Sequence, residues 1–372
     1  MPIELHVFND FDDAKETWLA LEKNSELYAF QKYYWLKYWF DDIGKHEKIR
    51  PYITALQFDR RTIAILPLCI KKIGLIKCLI WMGGIITDYH APILVNSLSF
   101  QLDLNTIIAL LKKTLPRFDY IKFEKQPEII KKIENPFVTD KCKPNKANAY
   151  ATRLGSQWDE YYNNRVSSKT RYNNRRNLKM LSELGDAKIL IAESNDQRKL
   201  ITQAMIRQKI NRYRSTNAKN IFKSDYYKNF YLNLSINSPE NNLNIHISAL
   251  LFNGEIIATH WGMYDNERFY YLMPTYESND LSKYSPGKML QLELMQWCIA
   301  HGLSIYDFTV GGENYKHDWC DSELKLYNYT DAVTMLGLPL KISDFIADYI
   351  RGNSFLLTVA QKVKRKLSKL VN

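Results

Sequence analysis

Cysteine is scarce in this sequence: Cys69, Cys78, Cys142, Cys298 and Cys320 are scattered and form no C-x-x-C pair. An odd, dispersed set argues against a disulfide framework and a cysteine-based zinc site, so no metal is expected. Long apolar runs are missing too. The most apolar stretch, Ile73 to Ile86, contains Lys77 and a glycine pair, and it is too short to span a bilayer. The opening MPIELHVFNDFDD is acidic and lacks the basic start and apolar run of a secretory signal. A reducing cytoplasm is therefore the expected location. Acidic residues are in deficit, 40 against 51 Lys and Arg, for a formal charge of +11. Such a surface favours anionic partners: nucleic acid, an acidic membrane or a phosphorylated small molecule.

The 372 residues are long for one core and predict two domains. Tyrosine is abundant, with 25 copies. Its flat face and polar tip suit sugar or nucleotide surfaces, although an A/T-rich coding bias gives the same enrichment. Period-two and helical patterns place a strand at 3–8, helices at 12–24 and 31–42, and strands at 51–58, 62–71 and 76–82. The loop Thr87-Asp88-Tyr89-His90, a helix near 103–114 and a strand at 119–124 follow. Residues 134–149 have little periodicity and mark the boundary. Beyond it come a strand at 149–154, a helix at 157–184, a strand at 187–192 and helices at 196–213 and 224–236. Strands at 244–252, 255–264 and 267–276 are next, with Asn253-Gly254 as a tight-hairpin signal. A helix at 286–301, a strand at 304–309 and a final strand near 324–334 complete this unit. The similar orders predict a tandem pair of α+β domains, 1–140 and 149–335. A helical tail over 336–372 carries apolar residues at helical spacing with a basic opposite face. It either packs on its own protein or lies on anionic lipid.

Ser285-Pro286-Gly287 opens the helix after the three-strand meander. Proline suits the first helical turn and glycine lets a ligand approach the backbone. Unpaired N–H groups there, with Lys283 and Lys288 nearby, suit a phosphate, although a plain helix cap reads the same way. The helix around 165–179 carries Arg165, Lys169, Arg171, Arg175, Arg176 and Lys179 with no acid. It reads as a solvated basic face, as a contact for the phosphates of a nucleotide diphosphate or cofactor, or as a nucleic-acid contact. No nucleic-acid-binding signature accompanies it, and nucleic acid is not an expected partner.

The runs YDNERFYYLMPTY, LSKYSPGKML and IYDFTVGGENYKHDW, in that order, resemble the GNAT-like acyltransferases grouped with cellulose-biosynthesis and Fem-type proteins. The helix SSKTRYNNRRNLKML and the N-terminal AFQKYYW, AILPLCI and GGIITDYH are similar to further motifs of that family, so the resemblance covers roughly 5–335. It implies two tandem GNAT-like domains with mixed central sheets and an acyl-CoA co-substrate, with no metal. The usual pyrophosphate loop has an Arg or Gln and two glycines, whereas only Gly287 remains here. The resemblance assigns the CoA phosphates to backbone amides of Ser285, Gly287, Lys288 and Met289, and sets Met273, Pro274 and Thr275 beside the pantetheine arm.

Amide formation needs an unprotonated amine and a place for its proton. His260 shares a strand face with Ala258 and Gly262 and titrates near neutrality, although a lone strand histidine is commonly structural. Asp307 at a strand end, Glu313 in the Gly-Gly loop and Asp88 are the other candidates. Tyr89, Arg171, Arg175, Tyr315 and Lys316 are candidate acceptor contacts. By analogy the acceptor is a nucleotide-linked amino sugar of the dTDP-3-amino-3,6-dideoxyhexose type, used in surface polysaccharide. A Fem-type peptidoglycan aminoacyltransferase is the alternative, although no heptad run for that family's coiled-coil arm is found. A non-enzymatic basic binding module is a third. Direct attack on the thioester, without a cysteine acyl-enzyme, is expected. The chain is expected to be a monomer or dimer, with membrane contact through the basic tail.

Overall fold

The computed structural model describes residues 3–96, 102–241, 243–313, 316 and 318–353. The first half runs β1 (Glu4–Phe8), α1 (Phe11–Glu22), α2 (Tyr33–Trp39), β2 (Arg50–Phe58), β3 (Arg61–Ile73), β4 (Ile76–Trp81), α3 (Leu104–Thr114) and β5 (Tyr120–Pro127). After β6 (Ala149–Arg153), α4 (Trp158–Arg165) and α5 (Ser168–Leu184), the same order returns. It reads β7 (Ala187–Ile191), α6 (Asn195–Thr216), α7 (Asp225–Asn237), β8 (Asn244–Phe252), β9 (Glu255–Tyr264), β10 (Arg268–Tyr270), β11 (Thr275–Tyr276), α8 (Pro286–Ala300) and β12 (Ile305–Val310). The strands β13 (Ser322–Leu324) and β14 (Leu326–Ala332) and the helix α9 (Leu338–Gly352) close the described chain.

Each half builds one mixed sheet, antiparallel through four strands and parallel at one junction. The first sheet is ordered β1-β2-β3-β4-β5-β14, and the second β7-β8-β9-β10-β12-β6-β13. The parallel junctions are β4 beside β5, with Cys78 opposite Tyr120, and β10 beside β12, with Tyr270 opposite Asp307. The tight turns obey local chemistry: Asp59 and Arg60, and Asn253 and Gly254, all adopt the positive φ that a two-residue hairpin demands.

Three expectations are corrected. The helix expected over 157–184 is two, because Val166 ends the first in extended backbone and Ser167 caps the second by accepting from the Thr170 N–H. The third meander strand stops at Tyr270 and resumes at Thr275. The strand expected to complete the second unit, Leu326–Ala332, pairs antiparallel with β5 in the first sheet. The equivalent place in the second sheet is taken by β6, so each sheet is finished by a strand from outside its own repeat.

One hydrophobic cluster runs through both halves, from Trp18 and Trp35 to Trp261 and Met273. Trp35 packs edge-on against Phe230, with centroids 5.1 Å apart, and truncating so buried an indole costs about 3–5 kcal/mol. A second cluster lies beneath α8. Polar bonds also tie the halves: the Tyr270 hydroxyl accepts from the Ala29 N–H at 3.2 Å, and Lys131 meets Asp265 at 3.0 Å. Among the described residues no helix is long and apolar enough to cross a membrane.

Candidate active site

The parallel strands β10 and β12 stay together only as far as Tyr270 and Asp307. A last bond, from the Tyr271 N–H to the Asp307 carbonyl at 2.8 Å, closes the junction. Beyond it the first chain keeps to β9: the Met273 N–H donates to Trp261 and the Glu277 N–H to Ile257. Strand β12 meanwhile bulges against β6, and Thr309 takes a left-handed φ of 57°. A β-branched residue there costs about 1–3 kcal/mol, a strain that gathers at functional sites. The two strands therefore part, and 272–276 no longer pairs with 309–310 among the described residues.

That gap opens into a cavity of about 670 Å³. Ser282, Ser285, Gly287 and Lys288, at the start of α8, form one wall. Ser285 is left-handed, with φ 59° and ψ 52°, and its hydroxyl does not cap the helix. Lys209 and Arg212, one turn apart on α6, form another wall. Ile85, Ile86 and Asp88 reach in from the first half, and Glu313, Lys316 and Asp318 from the loop after β12. The cavity thus lies where the two repeats meet.

Charge is arranged unevenly around it. Lys316 is buried; its ammonium donates to the Val310 carbonyl at 3.2 Å and pairs with Glu313 at 3.0 Å. Burial pushes the Glu313 carboxyl up, but Lys316 more than offsets this and holds it below its ordinary range. A Cβ on Gly311, which has φ 148°, would lie 2.3 Å from the Glu313 carboxylate and 2.7 Å from the Lys316 ammonium, so this pair needs glycine there. Burial pulls Lys209 from 10.5 to about 8, with Arg212 adding to the fall and Glu313 opposing it. Neither Lys209 nor Arg212 has an ion-pair partner among the described residues, although Arg212 lies over the Tyr276 ring at 5.8 Å. Burial lowers Lys288 as well. Uncompensated cations lining a cavity suit an anionic ligand.

The structure sorts the residues singled out from sequence. Asp88, Met273, Pro274, Thr275, Ser285, Gly287, Lys288, Glu313 and Lys316 all line the cavity. Met289 is turned into the core, and its N–H is spent on the Ser285 carbonyl. The Ser285 and Lys288 amides are also bonded, to Ser282 and Ser285, which leaves Gly287 as the open donor of the expected four among the described residues. His260 does not face the cleft. It is fully buried, stacked on Tyr271 at 4.7 Å, and both ring nitrogens lack hydrogen-bond partners among the described residues. Burial holds it neutral, well below 6.5, because alternation on β9 points it beneath α8.

Asp307 and Tyr89 lie away from this cavity. The Tyr89 hydroxyl donates to the Asp307 carboxylate at 2.8 Å, and Arg268 pairs with it at 2.8 Å. Burial pushes Asp307 up, and Arg268 and Tyr89 oppose that rise. This bridge between the halves borders a separate, smaller cavity. Arg171 donates to the Asn163 and Val166 carbonyls, and Arg175 is exposed; neither lines the main cavity. Tyr315 lies outside the described residues. Lys209 and Arg212 were missed, although both stand as basic residues three apart on a readable helix. Among the described residues no group of three His, Cys, Asp or Glu could hold a metal.

Residues 168–317 match the acetyltransferase (GNAT) domain family. The match spans β7 through β12, including the parted strands and the start of α8. No curated protein sequence matches the chain. Among solved structures, FemX superposes with a TM-score of 0.58 at 11% identity, covering 88% of this chain and 97% of its own. A conserved protein of unknown function from Bacteroides thetaiotaomicron VPI-5482 gives 0.53 at 11% identity, covering 87% and 99%. At such identities the likeness is one of fold. With the repeated element order, it makes the chain a tandem pair of GNAT-like units, and the domain match supports an acyltransferase of that class.

Proposed function

We propose that the chain is a cytoplasmic N-acyltransferase that passes an acyl group from coenzyme A to the amine of a phosphorylated, nucleotide-linked amino sugar. The observation that carries this reading is the parting of β10 and β12 beside the Gly287 end of α8. An extended, amide-bearing pantetheine arm suits the free strand edges at Met273–Thr275. The Gly287 N–H and Lys288 suit the diphosphate. Lys209 and Arg212, across the cavity, suit the acceptor's own phosphates.

In this scheme the amine attacks the thioester carbonyl, forming the C–N bond as the C–S bond breaks. The amine's proton leaves and the thiolate is protonated to free CoA. Glu313, kept ionised by Lys316, holds the incoming ammonium, and Asp88 receives the proton. No cysteine serves: burial raises Cys298, and Cys320 is raised to about 12, so neither supplies a thiolate at neutral pH.

A second reading has one observation behind it. The basic helix α5 stands outside the cavity with Arg175 exposed, a surface suited to an RNA-linked aminoacyl donor of the Fem type. Thiol release separates the two. Incubation with acetyl- and longer acyl-CoAs and a panel of nucleotide amino sugars should liberate free thiol above the water blank. Release by no pair, together with aminoacyl transfer from charged tRNA, would replace the first reading with the second.

A further inference from the structure

We propose that α9 and the β3–β4 hairpin form a docking face for an anionic lipid surface. A surface helix normally buries its apolar stripe and shows its charges to water. Helix α9 does the reverse. Its sheet-facing positions include Asp344 and Asp348, which fasten it to the first half. Asp344 accepts from the Tyr120 hydroxyl at 2.6 Å and pairs with Lys122 at 3.4 Å. Asp348 pairs with Lys143 at 3.0 Å, and Lys341 with Asp331 at 2.9 Å. The stripe Leu338, Ile342, Phe345, Ile346 and Tyr349 points outward, with Phe345 and Tyr349 each 63% exposed. Held by its polar face, the helix cannot rotate to hide that stripe.

The exposed surface continues beyond the helix. The turn ahead of it presents Met335, 82% exposed, and the tip of the β3–β4 hairpin presents Leu75, 89% exposed. Asp119 joins the two: its carboxylate accepts from the Lys77 N–H and the Thr334 hydroxyl, and its carbonyl from the Val333 N–H. Lys72 and Lys77 stand opposite each other across that hairpin, giving the apolar tip a basic collar. Apolar side chains rimmed by cations, on a chain of formal charge +11, complement an anionic bilayer surface. A second copy, equally basic there, would bring like charges together.

The test is co-sedimentation of the full chain with vesicles of phosphatidylglycerol and phosphatidylcholine, and of phosphatidylcholine alone. Binding is expected only to the anionic vesicles. Phe345→Glu with Ile346→Glu should weaken it at least tenfold, and Lys72→Glu with Lys77→Glu several-fold, with thermal unfolding and CoA binding unchanged. Equal binding to both vesicle types, no binding at all, or undiminished binding by the Phe345/Ile346 variant would each overturn the proposal. So would a dimer in sedimentation velocity that the Phe345/Ile346 variant dissolves, since a second copy would then own the face.

Discussion

Lys209 tests whether the cavity is built to receive a negative charge. The half-buried ammonium is drawn from 10.5 to about 8, chiefly by burial. An unfolded chain keeps that proton up to about 10.5, whereas the folded chain keeps it only to about 8. Folding therefore releases a proton between those values, and stability rises with pH across the window. Below pH 8 the cost is fully present, up to about 3 kcal/mol for a fall of this size. Lys209→Met retains the aliphatic stem and removes the charge. At pH 7 the variant should be more stable than the parent by up to about 3 kcal/mol, and the gap should close by about pH 10.5. Urea unfolding of both proteins by circular dichroism at pH 7, 8, 9 and 10 reads it directly. In turnover assays the same variant should raise the KM for a phosphorylated acceptor at least tenfold, the loss of one charge-assisted contact of about 1.5–3 kcal/mol. A variant no more stable at pH 7, or a gap that ignores pH, would refute the reasoning.

Other consequences concern the buried polar groups. Asp307→Ala strands the Arg268 guanidinium and should cost about 3–5 kcal/mol, while Tyr89→Phe should cost about 1.5–3 kcal/mol; both are read by thermal unfolding. An Asp307→Asn protein of full stability but no activity would show the carboxylate to be catalytic after all. His90 and His246 are pulled to about 3 by burial, and His260 falls well below 6.5. The unfolded chain protonates all three near 6.5, so stability is present above that pH and lost beneath it, at about 4 kcal/mol per pH unit together. His260→Phe should keep the stack on Tyr271, remove about 1.4 kcal/mol per pH unit of that acid loss and spare turnover; a variant whose stability falls between pH 6 and 5 as steeply as the parent's would contradict this.

Much of the fold was legible because its signals are local. Alternating apolar residues, the Asn253-Gly254 turn and the Pro286 helix start each act within a few residues. What escaped depends on distant partners. Nothing in LYNYTDA says that this strand joins Tyr120–Pro127 and not its neighbours, because both sheet edges accept the same alternation. The stop at Tyr270 and the left-handed Thr309 arise from a bulge against β6, roughly 150 residues away in sequence. The cavity wall at the start of α8 was legible from Ser285-Pro286-Gly287, since a helix start offers its own backbone to a phosphate. The candidate bases were not. Strand alternation puts His260 on a face, but whether that face meets solvent or α8 is a matter of packing. Asp307 read as a strand-end acid, either catalytic or structural, and its partners Arg268 and Tyr89 come from 39 and 218 residues away in sequence.

The central claim is that the parted strands and the start of α8 bind coenzyme A, and calorimetric titration of CoA tests it most directly. A Cβ at position 287 would lie 3.2 Å from the Tyr276 ring, on the cavity wall. The parent protein should bind CoA at micromolar levels in moderate salt. Gly287→Val, with unfolding behaviour unchanged, should bind at least tenfold more weakly. No heat with the parent, or equal affinity in the variant, would contradict the account.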